Sequence, residues 1–507
     1  MKEKLQKILK SKIFYIYLIC ILLTTFSTYQ IASANGIGKK PLIILAELII
    51  ETGIFATYIA LKRKRVPLEK LFLVFAIPLG LFFLIFLPPG ESPDEINHFK
   101  RAYAITEGHL VSEVYDDTGH AGSELPDNIQ LSLVRMPEKG AYATVTQKLS
   151  EPVSSEKSYT NYNNTSLYHW ACYLPQVVGI FLGRLFGASF EVMAYLAEIV
   201  DFIIWAILIY FAIKLTPKFK SIILFVSLLP ITLQEATSLA PDALAIGLGI
   251  FLISFVCYLT YTKKSQLSVK EIILLYLLAI MIGYCKIVYL PFVLLYLIIP
   301  SERFGSKRAK WIHAAVLGVL LLILNLTWLS TSSQFLMEFN EGVNTSEQVA
   351  GILRNPIRYV AVLFSSLNQN GGFYLTSMLG INLGSFSFNL PTIFTYLSFA
   401  IFILLFAQRH DSLKIKPFER AIFAATFLII FLLIFTSIYV QWSPVGLPYV
   451  DGVQGRYFLP ILLLIPIAIV SSKPRSPQTE IVSADTIFCY GLTTNLIAIA
   501  LFFCQNL

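Results

Sequence analysis

The sequence predicts an all-α polytopic membrane protein, and two observations carry that prediction. Of the 507 residues, 56% are hydrophobic and only 14% are charged, and the mean hydropathy is +0.68. Apolar stretches of roughly 20 residues, the length that a helix needs to cross a bilayer, recur from end to end. A soluble chain of this length needs more surface charge, so the soluble globular class is excluded.

The apolar stretches predict a bundle of about 13 transmembrane helices with extracytoplasmic loops that carry juxtamembrane helices. The predicted spans are 13–32, 41–61, 70–88, 190–213, 220–234, 238–262, 271–284, 287–300, 310–331, 391–408, 418–440, 457–471 and 482–505. Ala32-Ser33-Ala34 resembles a signal-peptidase site. The length of the first apolar run and the span that follows it favour an uncleaved anchor instead.

The basic residues lie in short clusters between the apolar runs and do not form a single patch. They occupy the N-terminus and residues 62–70, 214–220, 263–270, 301–310, 409–420 and 471–476. The net charge of +8 therefore does not predict nucleic-acid binding. The positive-inside rule puts these connectors and the N-terminus in the cytoplasm. This orientation in the plasma membrane leaves three extracytoplasmic loops, 89–167, 332–390 and 441–456.

Two segments are ambiguous. Counting residues 168–187 as a span would put the connectors 214–220 and 263–270 outside the cell, against the rule. We therefore predict an interfacial or re-entrant element there; the alternative is that it spans and a later segment does not. Residues 271–300 are interrupted by Lys286 and Pro291. They favour a broken hairpin with Lys286 at its outer turn.

This organisation predicts three units. Residues 1–69 form an N-terminal transmembrane hairpin, residues 70–475 a transmembrane core that includes the three outer loops, and residues 476–507 a C-terminal transmembrane helix. The six cysteines lie in apolar segments without Cys-x-x-Cys spacing, which is typical of small buried hydrophobic residues.

The first outer loop opens with a helix-start pattern. Ser92 is the predicted N-cap, Pro93 the first helical residue and Glu95 the partner that completes a capping box. Capping alone would explain Glu95. Asp94, His98 and Arg101 follow at i, i+4 and i+7 on one helix face. A carboxylate beside an imidazole and a guanidinium suits proton abstraction or phosphate contact, although Asp94 could merely complement the helix dipole.

Other charged residues stand at predicted outer ends of spans. Asp242 begins the 238–262 span, and Lys286 interrupts the hairpin at membrane depth, where a charge is a functional candidate or snorkels to the interface. Arg456 lies in the segment DGVQGRYFLP just before the 457–471 span. It suits bidentate phosphate binding; the alternative is an arginine anchored at the interface. The sequence contains no metal-binding histidine spacing, phosphate loop or dinucleotide fingerprint.

Four segments in order carry a resemblance over roughly residues 70–475: ESPDEINHFKRAYAITEGHL, KIVYLP, GINLG and DGVQGRYFLP. With them the chain resembles a bacterial family of predicted membrane proteins allied to the GT-C glycosyltransferases, which use polyprenyl-phosphate sugars. The resemblance implies a GT-C-like bundle and inverting transfer of a sugar from that carrier to an extracytoplasmic cell-wall or surface glycan. One departure is that GT-C chains usually place the acidic loop after the first span, whereas here it follows the third.

The resemblance also implies residue roles. Asp94 activates the acceptor or holds a metal, which leaves a divalent cation such as Mg²⁺ or Mn²⁺ open as cofactor. Glu95 and His98 stand with Asp94 as catalytic residues. The predicted substrate-binding residues are Arg101, Asp242, Lys286, Gln454, Arg456 and Tyr457.

Two other classes stay open. A polysaccharide polymerase or ligase that acts on lipid-linked oligosaccharide has a similar number of spans. A flippase or transporter of lipid-linked glycans should show intramembrane charge pairs near the midplane.

Overall fold

Eight helices are long and apolar enough to cross a membrane by length and composition, among the residues that the computed structural model describes. The described residues are 12–115, 120–133, 139–336, 340–407, 415–469 and 481–507. The eight segments are Lys12–Ala34, Lys40–Arg63, Leu68–Phe86, Phe190–Leu215, Asp242–Thr262, Lys307–Phe335, Pro417–Gln441 and Ala484–Asn506. The all-α polytopic class is thus supported, whereas the count of about 13 spans is not confirmed.

The helices are numbered here in chain order. They are α1 Lys12–Ala34, α2 Lys40–Arg63, α3 Leu68–Phe86, α4 Glu95–Thr106, α5 Ala141–Lys148, α6 Asn163–Ser166, α7 Leu174–Leu185, α8 Phe190–Leu215, α9 Lys220–Ser227, α10 Pro230–Ala236, α11 Asp242–Cys257, α12 Val269–Cys285, α13 Lys307–Ser332, α14 Thr345–Arg354, α15 Pro356–Met378, α16 Ile393–Ala407, α17 Pro417–Gln441, α18 Leu464–Ile469 and α19 Ala484–Asn506. Tyr258–Thr262 continues α11 as a π-helix.

Short 3₁₀ helices and strands complete the fold. The 3₁₀ segments are Trp170–Tyr173, Ile287–Ile298, Ser301–Phe304, Ser333–Phe335 and Gly455–Ile461. The strands are β1 Glu113–Val114, β2 Ala121–Pro126, β3 Lys157–Asn161, β4 Asn382–Leu383 and β5 Phe388–Asn389. They form an antiparallel sheet in the order β1-β2-β3 and a two-stranded ladder of β4 and β5.

Prolines interrupt several of the predicted spans. The segment 220–234 is divided between α9 and α10, and Pro230 stands at the first position of α10. The segment 457–471 contains a 3₁₀ turn with Pro460 inside it, followed by the short helix α18. A proline cannot donate the backbone hydrogen bond that a helix interior needs, so these runs break where a continuous apolar pattern suggested one span.

The broken hairpin at residues 271–300 is present. Helix α12 ends at Cys285, Lys286 is extended with φ −154° and ψ 128°, and a 3₁₀ helix containing Pro291 follows. The amide of Leu267, before α12, donates to the carbonyl of Arg303, after the 3₁₀ helix, over 2.7 Å. Both open ends of the hairpin therefore lie together, and Lys286 lies at the turn.

Residues 168–187 do not contain a membrane-spanning helix. Helix α7 has 12 residues, which extend only about 18 Å against a hydrocarbon core of about 30 Å. It packs tightly on α8, since a Cβ at Gly179 would stand 2.4 Å from the Cα of Ala197. This geometry agrees with the interfacial or re-entrant interpretation.

The second predicted loop, 332–390, is largely helical. Helix α15 has 23 residues, and its apolar side chains Ile357 and Phe364 are exposed. Gln348 on α14 donates to the carbonyl of Pro444 over 3.3 Å, and Arg358 donates to the carbonyl of Gly446 over 3.0 Å. The loops 332–390 and 441–456 therefore pack against each other at one end of the bundle.

The last helix, α19, is almost wholly buried and packs among α1, α3 and α9. At its end, the Asn506 amide donates to the Glu91 carboxylate over 3.0 Å. Helices from the first and last parts of the chain therefore pack against each other in the bundle. The basic connectors 409–414 and 471–476 and the N-terminal lysines before Lys12 lie outside the described residues.

Candidate functional site

A cavity of about 290 Å³ opens between the loop 89–167, the turn after α12 and the end of α17. Four of the predicted site residues line it: Asp94, His98, Lys286 and Tyr457. Much of the remaining wall is aromatic or amide, with contributions from Asn164, Tyr168, His169, Tyr284, Tyr289, Trp328 and Trp442. The fold therefore brings residues from distant parts of the chain to one space.

Asp94 is held in an unusual backbone conformation. Its φ of 64° and ψ of 8° lie in the left-handed region, which few residues other than glycine adopt, and such strain often accompanies a functional site. Its Oδ1 accepts a hydrogen bond from Asn164 Nδ2 over 3.1 Å, and Asn164 in turn accepts from Asn97 over 2.8 Å. These contacts fix the carboxylate at the cavity wall.

Because Asp94 is left-handed, helix α4 begins at Glu95, so the predicted start at Ser92 and Pro93 is two residues early. The Glu95 carboxylate accepts from the amides of Gly90 at 2.8 Å and Ser92 at 3.0 Å, and from that of Leu239 at 3.2 Å. Burial raises its pKa to about 7. Glu95 does not line the cavity; it ties the loop before α4 to the α10–α11 connection, so the structure gives it a positioning part.

His98 is buried at the cavity wall. Its Nδ1 lies 2.8 Å from the hydroxyl of Tyr173, and its ring stands edge-on to that of Tyr168 at 5.5 Å between centroids. Burial lowers the pKa of His98 to about 4. The imidazole is therefore neutral at pH 7 and available as a hydrogen-bond partner or proton acceptor.

Arg101 stands apart from the other predicted substrate-binding residues. Its guanidinium donates to the carbonyls of His109 over 2.9 Å and Leu110 over 2.7 Å, and the residue is fully buried. It does not line the cavity. Arg101 thus fastens the end of α4 to the turn that follows it.

Behind the cavity lies a group of four buried charges, called here the ion-pair cluster: Glu235, Asp242, Lys286 and Arg456. Arg456 Nη1 lies 3.2 Å from Glu235 Oε2, and Arg456 Nε lies 3.6 Å from Asp242 Oδ2. Lys286 Nζ donates to the other oxygen of Asp242. The charges alternate and sum to zero, as buried charges in a low-dielectric environment require.

Lys286 is the cation of this cluster that reaches the cavity. Its Nζ stands 4.2 Å from the ring centroid of Tyr457, a cation–π distance. Tyr289 donates to the carbonyl of Tyr457 over 2.9 Å and holds that ring in place. Arg456 lies behind, with 6% of its side chain exposed. Gln454 is not part of the cavity wall, and its buried Oε1 has no hydrogen-bond partner among the described residues.

Sequence reasoning missed two members of the site. Glu235 pairs with Arg456. The signal that could have identified it is a carboxylate at the end of the apolar run 220–234. Asn164 orients Asp94, but a lone asparagine in a polar loop carries no such signal. No group of three or more His, Cys, Asp or Glu positioned to hold a metal occurs within the described ranges.

A family model described as a predicted membrane protein (DUF2142) matches residues 77–465, which include every residue named in this site. Neither a curated protein nor a solved structure matches the chain.

Proposed function

The chain belongs to the DUF2142 family of predicted membrane proteins, and within it we propose that the chain is a membrane glycosyltransferase of the GT-C kind. It would move a sugar from a polyprenyl-phosphate carrier to an extracytoplasmic glycan. The observation that supports this proposal most is that Asp94 and Lys286 line one cavity. An acceptor hydroxyl and a phosphate leaving group need such an anion and cation on opposite sides of the reacting carbon.

The surroundings of the cavity suit a lipid-linked substrate. Its walls include the ends of the long apolar helices α13 and α17, through Trp328, Leu329 and Ile438. Tyr168 and Trp328 offer flat faces of the kind on which sugar rings pack. A polar headgroup could therefore rest in the cavity while its chain follows the apolar helices into the bilayer.

In the proposed reaction, each residue of the cavity has one role. Asp94 accepts the proton of the acceptor hydroxyl as its oxygen bonds to the anomeric carbon. The bond from that carbon to the phosphate oxygen breaks on the opposite face, which inverts the configuration. The bonding electrons leave with the lipid phosphate, whose growing negative charge Lys286 stabilises together with Arg456 behind it. Neutral His98 stands beside Asp94 as a second hydrogen-bonding group.

The sidedness of the proposal rests on charge. The 21 residues from Asp242 to Thr262 extend about 30 Å. They separate the ion-pair cluster from the connector that carries Lys263 and Lys264, where Arg303 also donates to the Leu259 carbonyl over 3.2 Å. If this basic end is cytoplasmic, the cavity faces the extracytoplasmic side.

The test is transfer by the purified full-length protein in lipid vesicles, with a polyprenyl-phosphate monosaccharide of defined sugar as donor. Consumption of the donor is followed with Asp94→Asn beside a matched control, Asp127→Asn, an exposed aspartate of the same outer loop. We expect Asp94→Asn to lose about 10²- to 10⁴-fold in rate, the usual contribution of a positioned base, and Asp127→Asn to lose little.

Equal rates for well-folded Asp94→Asn and wild-type protein would refute the assignment of the base. Consumption of lipid-linked oligosaccharide with no use of any monosaccharyl donor would replace the proposal with a polymerase or ligase. Movement of the intact donor between leaflets without cleavage would replace it with a flippase.

A further inference from the structure

A second polar group lies inside the helical bundle, away from the cavity and outside the residues that the family model matches. Glu47 and Glu51 stand one turn apart on α2 and are buried, Glu51 completely. Glu51 is close to the middle of α2, about 17 Å from either end at 1.5 Å per residue. If α2 spans the bilayer, this carboxylate lies near the membrane midplane. We refer to these two residues as the carboxylate pair.

The carboxylate pair has no cationic partner among the described residues. None of its four oxygens makes a hydrogen bond of good geometry. The titratable groups that face the pair from α1 and α19 are hydroxyl and thiol groups: Tyr17, Cys20, Cys489 and Cys504. Lys62, at the C-terminal end of α2, is paired with Asp485. Among the described residues, no side chain therefore supplies a positive charge to the pair.

Threonine hydroxyls from the neighbouring helices complete the group. Thr28 on α1 approaches Glu47, while Thr24 on α1 and Thr493 on α19 approach Glu51. Thr28 and Thr493 are completely buried, and among the described residues their hydroxyls make no hydrogen bond of good geometry. These two hydroxyls belong to helices other than α2, and they point independently to a missing occupant.

The Thr24 hydroxyl also indicates a proton or a cation beside Glu51. Its proton is directed to the carbonyl of Cys20 over 3.1 Å, so only its lone pairs remain to face Glu51. A lone pair facing a carboxylate oxygen is repulsive unless a proton or a cation lies between them. Two carboxylates one turn apart also cannot both stay ionised without a counter-charge at this depth.

We propose that Glu47, Glu51, Thr24, Thr28 and Thr493 form a binding site for a monovalent cation inside the three-helix group of α1, α2 and α19. One carboxylate holds a proton, and the other takes either a second proton or Na⁺. The site is separate from the cavity, and its occupancy does not depend on the proposed sugar transfer.

The experiment uses full-length protein in nanodiscs and dicyclohexylcarbodiimide, which adds to protonated carboxyl groups in apolar surroundings. Labelling of residues 40–63 is measured by mass spectrometry from pH 6 to pH 9, in choline chloride and in sodium chloride. We expect an adduct on Glu51 or Glu47 at pH 6 that falls at least about 5-fold by pH 9. Protection by sodium but not choline assigns Na⁺ as the second occupant, and a pH effect without sodium protection assigns a proton.

Variants locate the site. Glu51→Gln should remove the Glu51 adduct, and Thr493→Val, which keeps the shape but lacks the hydroxyl, should change the pH or sodium dependence at least about 3-fold. The control for loss of a threonine hydroxyl is Thr57→Val, an exposed threonine of α2, which should label like wild type. Absence of any adduct on both glutamates in folded protein overturns the proposal. So does labelling that ignores pH and sodium, or protection by Mg²⁺ or Ca²⁺ alone.

Discussion

The ion-pair cluster and the carboxylate pair face the same physical problem and solve it differently. Both place acidic side chains among long apolar helices, where an uncompensated charge costs several kcal/mol. In the cluster, Lys286 and Arg456 neutralise Asp242 and Glu235. In the pair, the polar groups that face Glu47 and Glu51 within the described part of the chain are hydroxyls and thiols. The cluster is compensated by the protein's own side chains, whereas for the pair we propose compensation by a bound proton or Na⁺.

The largest expected effect tests the internal compensation of the cluster. Arg456→Met leaves Glu235 buried without its cation, and we expect the free energy of unfolding to fall by about 3–5 kcal/mol. The measurement is unfolding in mixed detergent micelles. The double variant Glu235→Gln/Arg456→Met should lose less than the single variant, because no unpaired charge remains. A single variant as stable as wild type would show that the pairing contributes little.

A third buried carboxylate provides an intermediate case. Glu91, in the loop between α3 and α4, accepts a hydrogen bond from Asn506 over 3.0 Å and forms no ion pair with a described residue. Burial raises its pKa to about 8 from the usual 4.5. The folded protein therefore holds a proton there that the unfolded chain releases above pH 4.5, and stability is lost as pH rises towards 8.

We expect the free energy of unfolding to decline by up to about 1.4 kcal/mol per pH unit through this group between pH 5 and pH 8. Glu91→Gln, which keeps the hydrogen-bonding shape without the titration, should flatten that slope. The measurement is the same unfolding experiment repeated across pH in wild type and variant. An unchanged slope in Glu91→Gln would assign the pH dependence to other groups.

The smallest expected effect belongs to the carboxylate pair. We expect Glu51 to be protonated, and therefore neutral, at pH 6. Glu51→Gln should then change the free energy of unfolding at pH 6 by less than about 1 kcal/mol. Thermal unfolding followed by size exclusion measures this shift. A loss as large as that of Arg456→Met would mean that Glu51 is ionised and has a cationic partner, and the contrast between the two regions would disappear.

The sequence predicted the membrane class and the break at Lys286, because hydropathy and an interrupting charge are local signals. It did not predict the division of 220–234 into α9 and α10, since an apolar run containing Pro230 has the composition of a continuous span. Juxtamembrane helices were predicted in the outer loops, but the bounds of α15 were not, because this helix is apolar on one face only and falls below the hydropathy of a span.

For the candidate site, residue type and spacing were both informative, but neither was sufficient. Asp94 and Lys286 were chosen for their chemistry, His98 for its place on the same predicted helix face as Asp94, and Tyr457 with the segment DGVQGRYFLP. The fold places all four on one cavity. Arg101 shared a predicted helix face with Asp94, yet it bonds the carbonyls of His109 and Leu110. Helical periodicity predicts which side chains share a helix face. It does not predict which other part of the chain will pack against that face.

The hydrogen bond from Asn506 to Glu91 has a consequence for how the protein is made. Helix α19 emerges from the ribosome after α1 to α18, yet its end contacts the loop that precedes α4. The loop before Asp94 therefore gains this contact only once α19 has been synthesised, a closure across more than 400 residues of chain that is intrinsically slow. Biogenesis of this protein should show a late maturation step, after membrane insertion of the earlier helices, at which protease resistance of residues 88–95 appears.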